Sequence, residues 1–439
     1  MKSLELRLLE SLLPWRDAPA WRVAFSGGLD STVLLHLLTC LGRVEKLPAL
    51  SAIHIEHGLQ AVAKGWPDHC RQVCQAFDVP LRVEQVSVQR SSASLERAAR
   101  NARYLAFGRL LAPEEVLLTA QHRDDQAETL LFRLLRGSGV KGLAGMPRQR
   151  VLGAGRLLRP LLDVSRAELE AYARQHRLVW IEDPSNQDVQ YARNFLRQQV
   201  IPLLEQRWPA SSDVLARTAG HLAEAQALLD EFAEQDLRTV VLPAQPVWLA
   251  LPSLDLQALK RLSEARQRNL LRTFLAPLTE LPDSAHWAGW YALRDAAIDA
   301  QPRWCLASGE LQRCANRLWW VPETWLRPLA GQLVWPDPRQ RLQLPDNGQL
   351  YFAGEAPAGP LGVRYRQGGE SLYIPGRGHR DLKRLLNELQ IPAFARARLP
   401  LLYRGEELLA VANLPGSGAA AGESWQLIWR PADSAQGLS

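Results

Sequence analysis

The sequence predicts an α/β protein, with an N-terminal doubly wound parallel sheet, a mainly helical middle domain and a small α+β C-terminal domain. Three observations predict it. Short apolar runs alternate with helical patterns through roughly the first two hundred residues. A glycine-serine loop, Phe25-Ser26-Gly27-Gly28-Leu29-Asp30-Ser31, joins the first apolar run to the first helical pattern. The 439 residues exceed one ordinary domain and suggest two or three.

Arg22-Val23-Ala24-Phe25 reads as a buried strand, and Thr32 to Leu41 as a helix. Leu50 to Ile55 is a second strand, followed by a helix from Ala61 to Phe77. A third strand at Leu81 to Val86 precedes a helix from Ser94 to Leu111. Val116-Leu117-Leu118-Thr119 is a fourth strand, with a helix from about Asp124 to Arg136. Such alternation implies a parallel sheet covered on both faces, whose ligands bind beyond the carboxyl ends of the strands. Gly137 to Gly155, glycine-rich and basic, reads as a long loop. Ser165, with Glu168 three residues on, caps a helix reaching His176. Tyr191 to Leu204 returns to helix, and a long helix from about Asp213 to Leu237 leads onward. The expected domains are 1–210, 211–335 and 360–432. Seven of the fifteen tryptophans fall between Trp287 and Trp335; they read as core packing ahead of a base-stacking surface.

Hydrophobic residues make up 47% and charged residues 22%, so a core of useful size can form and nothing forces a disordered reading. The net charge of +6 is local. Nine Arg or Lys face three acids from Arg364 to Arg404, and eight face only Asp163 from Arg133 to Arg166. Two basic patches in an otherwise balanced chain suit phosphate-binding surfaces. The five cysteines have no metal-ligand or disulfide spacing. With no apolar leader and no membrane-length run, the expectation is a soluble, cytoplasmic protein with no membrane partner. The oligomeric state stays open, a homodimer included.

The loop at Ser26 to Ser31 suits an anion. Glycines let backbone N–H groups converge on a phosphate, the two hydroxyls add donors, and the following helix presents its N-terminus. Lacking the Walker lysine, the loop does not favour γ-phosphate hydrolysis. Asp30, odd beside phosphates, fits if it carries Mg²⁺. The second strand ends in His54-Ile55-Glu56-His57-Gly58-Leu59, a candidate nucleotide contact. Arg97, Arg100 and Arg103 share roughly one helix face, either as a phosphate clamp or as a solvated surface. At the end of the fourth strand, His122, Asp125 and Glu128 line one side of a helix start and make a site for a cation, whether Mg²⁺ or an ammonium.

The loop resembles that of the N-type ATP pyrophosphatases (PP-loop ATPases, Rossmann-like), which split ATP between the α and β phosphates and adenylate a carbonyl oxygen. Further motifs are Leu134-Leu135-Arg136-Gly137-Ser138-Gly139-Val140-Lys141-Gly142-Leu143, Arg159-Pro160-Leu161-Leu162, and Asp183-Pro184-Ser185-Asn186 through Tyr191-Ala192-Arg193-Asn194-Phe195-Leu196-Arg197. Their order resembles the motif series of the tRNA(Ile)-lysidine synthetases, long bacterial form, over about residues 20–200. The likeness resumes at Arg366-Gln367-Gly368-Gly369-Glu370, Leu382-Lys383-Arg384-Leu385-Leu386-Asn387-Glu388 and Ile391-Pro392-Ala393-Phe394-Ala395-Arg396. Many members have two adjacent histidines where this chain has Gln121-His122.

The resemblance implies that ATP adenylates the 2-carbonyl oxygen of the wobble cytidine in the CAU anticodon of tRNA(Ile). The ε-amine of L-lysine then displaces AMP. It assigns ATP to Ser26, Gly27, Gly28, Leu29, Asp30, Ser31 and His54, with Mg²⁺ on Asp30. Catalysis would fall to Asp30, His122, Arg100 and Arg103, with His122 as proton acceptor. Lysine would go to Asp125 and Glu128, and tRNA to Arg136, Lys141, Arg193, Arg197, Arg366, Lys383, Arg384 and Arg396. Two rivals remain. A tRNA 2-thiolase would need reactive or cluster-binding cysteines, and a non-catalytic tRNA binder would show no ATP–pyrophosphate exchange.

Overall fold

The computed structural model describes residues 3–56, 65–87, 95–283, 285–297, 300–374, 376–414 and 425–432, with backbone alone at 95–97. The chain forms two compact units, Met1–Leu228 and Leu229–Ser439.

In the first unit, α1 (Leu4–Leu12) leads into β1 (Ala20–Ala24), α2 (Leu29–Gly42), β2 (Ala49–Glu56), α3 (Trp66–Ala76), β3 (Leu81–Gln85), α4 (Leu95–Leu110), β4 (Val116–Leu118) and α5 (Arg123–Leu134). Then come α6 (Val140–Leu143), β5 (Gln149–Leu152), β6 (Gly155–Leu158), α7 (Arg166–Gln175), α8 (Ala192–Phe195) and α9 (Ile201–Arg207), and α10 (Ser211–Val240) begins in this unit and ends in the second. The sheet order is β3-β2-β1-β4-β6-β5, parallel except for β5. Strand alternation feeds two cores. Val116 and Leu118 join Val23, Leu34 and Leu169 on one face, while Leu117 joins Ile53, Phe107 and Leu157 on the other. The chain steps from β1 to β2 and β3, then returns to β4 on the other side of β1. That reversal opens a crevice at the carboxyl ends of β1 and β4.

The expected loop at Gly137 to Gly155 instead contains α6 and β5, and β6 follows it. Gly153 sits at φ +59 in the β5–β6 hairpin, where a Cβ would lie 2.1 Å from the Gly108 carbonyl oxygen. Only glycine permits that approach. The capping box is present, with Ser165 Oγ accepting from Glu168 N and Glu168 accepting from Ser165 N. The expected continuous helix from Tyr191 is broken by a π-turn at Leu196–Val200. The calls at His57, Gly58, Leu59 and Ala61 lie outside the described residues.

In the second unit, β7 (Ser253–Asp255), α11 (Leu256–Arg261), α12 (Glu264–Leu275), α13 (Trp287–Asp295), β8 (Arg303–Leu306), β9 (Gly309–Cys314) and β10 (Arg317–Pro322) come first. Helices pack there on an antiparallel sheet ordered β7-β10-β9-β8. There follow α14 (Glu323–Leu326), β11 (Gln332–Trp335), β12 (Leu342–Leu344), β13 (Gly348–Gly354), β14 (Leu361–Arg364), β15 (Ser371–Ile374) and β16 (Gly378–Asp381). The unit closes with α15 (Leu382–Glu388), α16 (Ala393–Arg396), β17 (Leu401–Arg404), β18 (Glu407–Val411) and β19 (Trp425–Arg430). β10 serves two cores: Leu318 and Trp320 face one, Trp319 and Val321 the other. All seven tryptophans from Trp287 to Trp335 are at most 5% exposed, so they pack the core and offer no stacking surface.

Candidate active site at the switch point of the parallel sheet

The anion loop leaves β1 at Phe25, whose N–H still bonds Ile53 O at 2.9 Å. Gly27 then turns to φ +81, and a Cβ there would meet Ile181 Cδ1 at 2.9 Å and Cys70 Sγ at 3.0 Å. Ile181 N donates to Gly27 O at 2.8 Å and pins the turn. The Ser26 and Ser31 hydroxyls are 3.0 Å apart, and Ser31 Oγ donates to Gly28 O at 3.0 Å. No side chain caps α2, so the N–H groups of its first turn remain available to an external anion. His54 is only 4% exposed and lies behind the loop, with Nδ1 2.9 Å from Phe25 O and 3.4 Å from Cys70 Sγ. Burial lowers its pKa, so it braces the loop as a neutral imidazole.

The second wall comes from β4. The chain leaves the sheet through Gln121 and His122 and enters α5, where Asp125 accepts the His122 N–H at 3.1 Å. The His122 side chain is 1% exposed. Its Nε2 lies 3.5 Å from Asp125 and 3.8 Å from Asp30, and its Nδ1 lies 3.5 Å from Asp124. Neither ring nitrogen makes a well-formed hydrogen bond. Burial alone would push the imidazole pKa down; Asp125, Asp124 and Asp30 outweigh it and raise it. Burial also works against ionised Asp124, yet His122 and the Arg166 N–H hold that carboxyl at about 2. The fold thus brings Asp30, at the start of α2, to His122 and Asp125, the N-cap and first turn of α5, some ninety residues later in the sequence.

Asp30 is the outlier among these acids. Burial raises its pKa despite His122 and Arg166, and its Oδ1 is buried with no partner. A buried, unsatisfied carboxylate oxygen on an anion loop fits a hard cation shared with a bound phosphate. Among the described residues no three His, Cys, Asp or Glu cluster as a metal cage. Mg²⁺ commonly needs only one or two carboxylates beside substrate oxygens. Asp30 therefore fits Mg²⁺.

Glu128 is 1% exposed and is held by Arg197, with Nε to Oε1 at 2.5 Å and NH2 to Oε2 at 3.0 Å. The same Arg197 reaches Asp125 Oδ1 at 3.0 Å. Arg193 donates to Thr129 Oγ1 at 2.7 Å and lies 3.8 Å from Glu128. Burial raises the Glu128 pKa against the pull of Arg197. The two arginines that the sequence suggested for tRNA therefore face α5, brought there by α8 and the π-turn. Their spacing of four residues was the available signal. Arg166, 3.4 Å from Asp30, belongs to the basic stretch from Arg133 to Arg166, but no local motif marks it as a site residue.

Arg100 stacks on Tyr104, 5.0 Å from the ring centroid, while Arg103 is exposed on α4. Arg136 and Lys141 are exposed beyond α5. In the second unit, Lys383 and Arg384 are exposed on α15. Arg366 pairs with Glu370 at 3.4 Å, and Arg396 is bound to Ile391 O and Asn387 Oδ1. Burial pushes the Cys70 thiol up to about 12 and Cys74 to about 11, so neither is a ready thiolate. Among the described residues no helix is long and apolar enough to cross a membrane.

Comparison with known proteins gives three family matches in order. Residues 2–204 match the PP-loop domain, 254–319 the TilS substrate binding domain, and 361–429 the TilS substrate C-terminal domain. The tRNA(Ile)-lysidine synthase of Pseudomonas fluorescens is 60% identical over 435 residues, covering 99% of this chain and 98% of that protein. The enzyme of that name from Pseudomonas aeruginosa is 60% identical over 439 residues, covering 99% of each. A more distant one, from Xanthomonas axonopodis, is 44% identical and covers 97% of each chain.

Proposed function

The chain belongs to the tRNA(Ile)-lysidine synthase family, and from that premise we propose how the crevice at β1 and β4 divides the reaction among its residues. The protein is an ATP-using ligase that forms lysidine in tRNA(Ile). ATP adenylates the wobble cytidine of the CAU anticodon at its 2-carbonyl oxygen. L-Lysine then attacks carbon 2 through its ε-amine, a C–N bond forms, and AMP leaves with the oxygen. Lysidine pairs with A, so codon and aminoacylation identity change from methionine to isoleucine.

Ser26 to Ser31 holds the pyrophosphate as charge develops on it. Asp30 would hold Mg²⁺, which when bound offsets that charge. Arg100 or Arg103 steadies the α-phosphate. Lysine is a zwitterion with a second ammonium, and the triad Asp125, Glu128 and Arg197 presents both signs to it. Its cationic groups go to the two carboxylates, and Arg197, loosened by that competition, is free to take its carboxylate. The ε-ammonium must lose a proton before it attacks, and His122, 3.5 Å from Asp125, stands where it can accept one. The exposed Lys383, Arg384, Arg136 and Lys141 supply tRNA contacts. The setting is cytoplasmic.

The observation that carries this reading is the meeting of Asp30, His122 and Asp125 within 4 Å beside an open anion loop. An acid for the phosphates, a base and an acid for an amine stand in line. The test is incubation with ATP, labelled lysine and both CAU-anticodon tRNAs. Label should enter the isoleucine tRNA and spare the methionine tRNA; label in neither would sink the reading. The thiolase alternative loses ground on the buried, high-pKa Cys70 and Cys74.

A further inference from the structure

One cluster in the first unit is left unexplained by these roles. Two guanidinium groups lie over the ring of Tyr104 of α4, Arg100 at 5.0 Å and Arg150 of β5 at 4.7 Å from its centroid. Arg159, directly after β6, is 4% exposed. One of its nitrogens donates to Pro147 O at 2.7 Å, while its Nε is buried with no partner. Burial opposes ionisation of the Tyr104 phenol, but Arg100, Arg159 and Arg150 outweigh it and lower the pKa. No carboxylate joins this group in any ion pair among the described residues. By contrast Arg7, Arg22, Arg123, Arg166, Arg193 and Arg197 each face one. Arg398, equally buried in the second unit, is bonded to three backbone carbonyls and to Asn347 Oδ1. A buried guanidinium normally has such a counter-group, because an uncompensated charge is costly to hold away from water. Arg159 has only one carbonyl and the phenol.

We propose that Arg100, Arg150 and Arg159, arrayed about Tyr104, form a seat for a backbone phosphate of the RNA substrate. The position favours RNA over ATP. Arg159 follows β6, two strands from β1, and Arg150 is on β5, three strands away. At roughly 4.8 Å per strand the seat lies about 10 to 14 Å to the side of the pyrophosphate loop. It is still at the same end of the sheet, because β5 runs antiparallel and pairs Arg150 with Leu157 and Gln149 with Leu158. A phosphodiester neighbouring a nucleotide whose base enters the crevice could occupy such a position. In this arrangement Arg100 serves the RNA, and steadying the ATP α-phosphate falls to Arg103.

The seat rests on the tRNA-ligase reading, so the test reads RNA binding without lysine turnover. Dissociation constants of the full chain for unmodified tRNA(Ile) are measured at several salt concentrations, alongside the KM for ATP in pyrophosphate release. Arg159→Gln removes the buried charge but could also unfold the unit. Arg150→Ala, at an exposed position on an edge strand, keeps the test open. The expected result is about tenfold weaker tRNA binding in Arg150→Ala. The slope of log affinity against log salt should fall by roughly 0.7 to 0.9 for one lost phosphate contact, with the ATP KM unchanged. Arg43→Ala, at the C-cap of α2 and so at the opposite end of the sheet, is the charge-matched control. An unchanged tRNA affinity in Arg150→Ala, an equal loss in Arg43→Ala, or an effect on ATP alone would overturn the proposal. Failure of the wild type to incorporate lysine would count against the ligase reading, while leaving these affinities to decide the seat.

Discussion

His122 concentrates the chemistry of the site at the scale of one residue. Its ring is buried among three carboxylates that raise its pKa, so it is protonated below that raised value and can accept a proton only above it. The lysine-transfer rate should therefore rise with pH along an acid limb set by His122. Asp124→Asn removes one of the groups that raise the pKa, and the limb should move to lower pH in single-turnover assays; a limb that stays put would remove His122 as the base. Asp30 makes a separate prediction. Asp30→Ala should cut tRNA-dependent pyrophosphate release by about a hundredfold or more, the scale of losing one transition-state charge partner. For lysine, Asp125→Asn and Glu128→Ala should raise its KM about tenfold with little change in the KM for ATP. Glu128 is also a structural ion-pair partner, so Arg197→Ala should lower stability by about 3 kcal/mol through the uncompensated Glu128 carboxylate, read by urea unfolding. A lysine KM unmoved in both acid variants would take the lysine site away from α5.

Elements show why some of this was legible from residues and some was not. The parallel strands and their helices follow local periodicity, and their bounds match the expected ones within a few residues from β1 to α5, except the start of the helix expected at Ala61, which lies outside the described residues. The anion loop was legible because its glycines serve a local need. Gly27 has a positive φ and no room for a Cβ, so Gly27→Ala should impair ATP use and cost roughly 1 to 3 kcal/mol, measured by urea unfolding. The β5–β6 hairpin was not legible, because its short strands sit among glycines and arginines that read as loop. The pairing of Arg197 with Glu128 was hidden for a different reason. It joins residues 69 apart, and only the π-turn between α8 and α9 aims it. The family resemblance supplied roles for α5 but said nothing of what neutralises it.

At the scale of the whole molecule, charge is distributed by task. In the first unit four acids, Asp30, Asp124, Asp125 and Glu128, meet at the crevice, and Arg166 and Arg197 pair with three of them. In the second unit the basic excess from Arg364 to Arg404 divides into two sets. Arg364, Arg366, Arg396, Arg398 and Arg404 are bound to partners of the fold, whereas Arg377, Arg380, Lys383 and Arg384 are exposed. The second set can neutralise phosphates without unmaking the fold. The double variant Lys383→Glu and Arg384→Glu on α15 should then leave the unit folded, because surface charges contribute little to stability. It should weaken tRNA(Ile) binding by tenfold or more and lower the salt slope by about 1.5 to 2. The KM for lysine, set on the first unit, should not move. Substituting Arg398 should act the other way round. That guanidinium is 4% exposed and bonded to Asn347 Oδ1 and several carbonyls, so Arg398→Ala should lower the melting temperature first and affect tRNA binding only as the unit unfolds. Loss of tRNA affinity in Arg398→Ala at full stability, with none in the α15 double variant, would reverse the division between structural and RNA-facing cations.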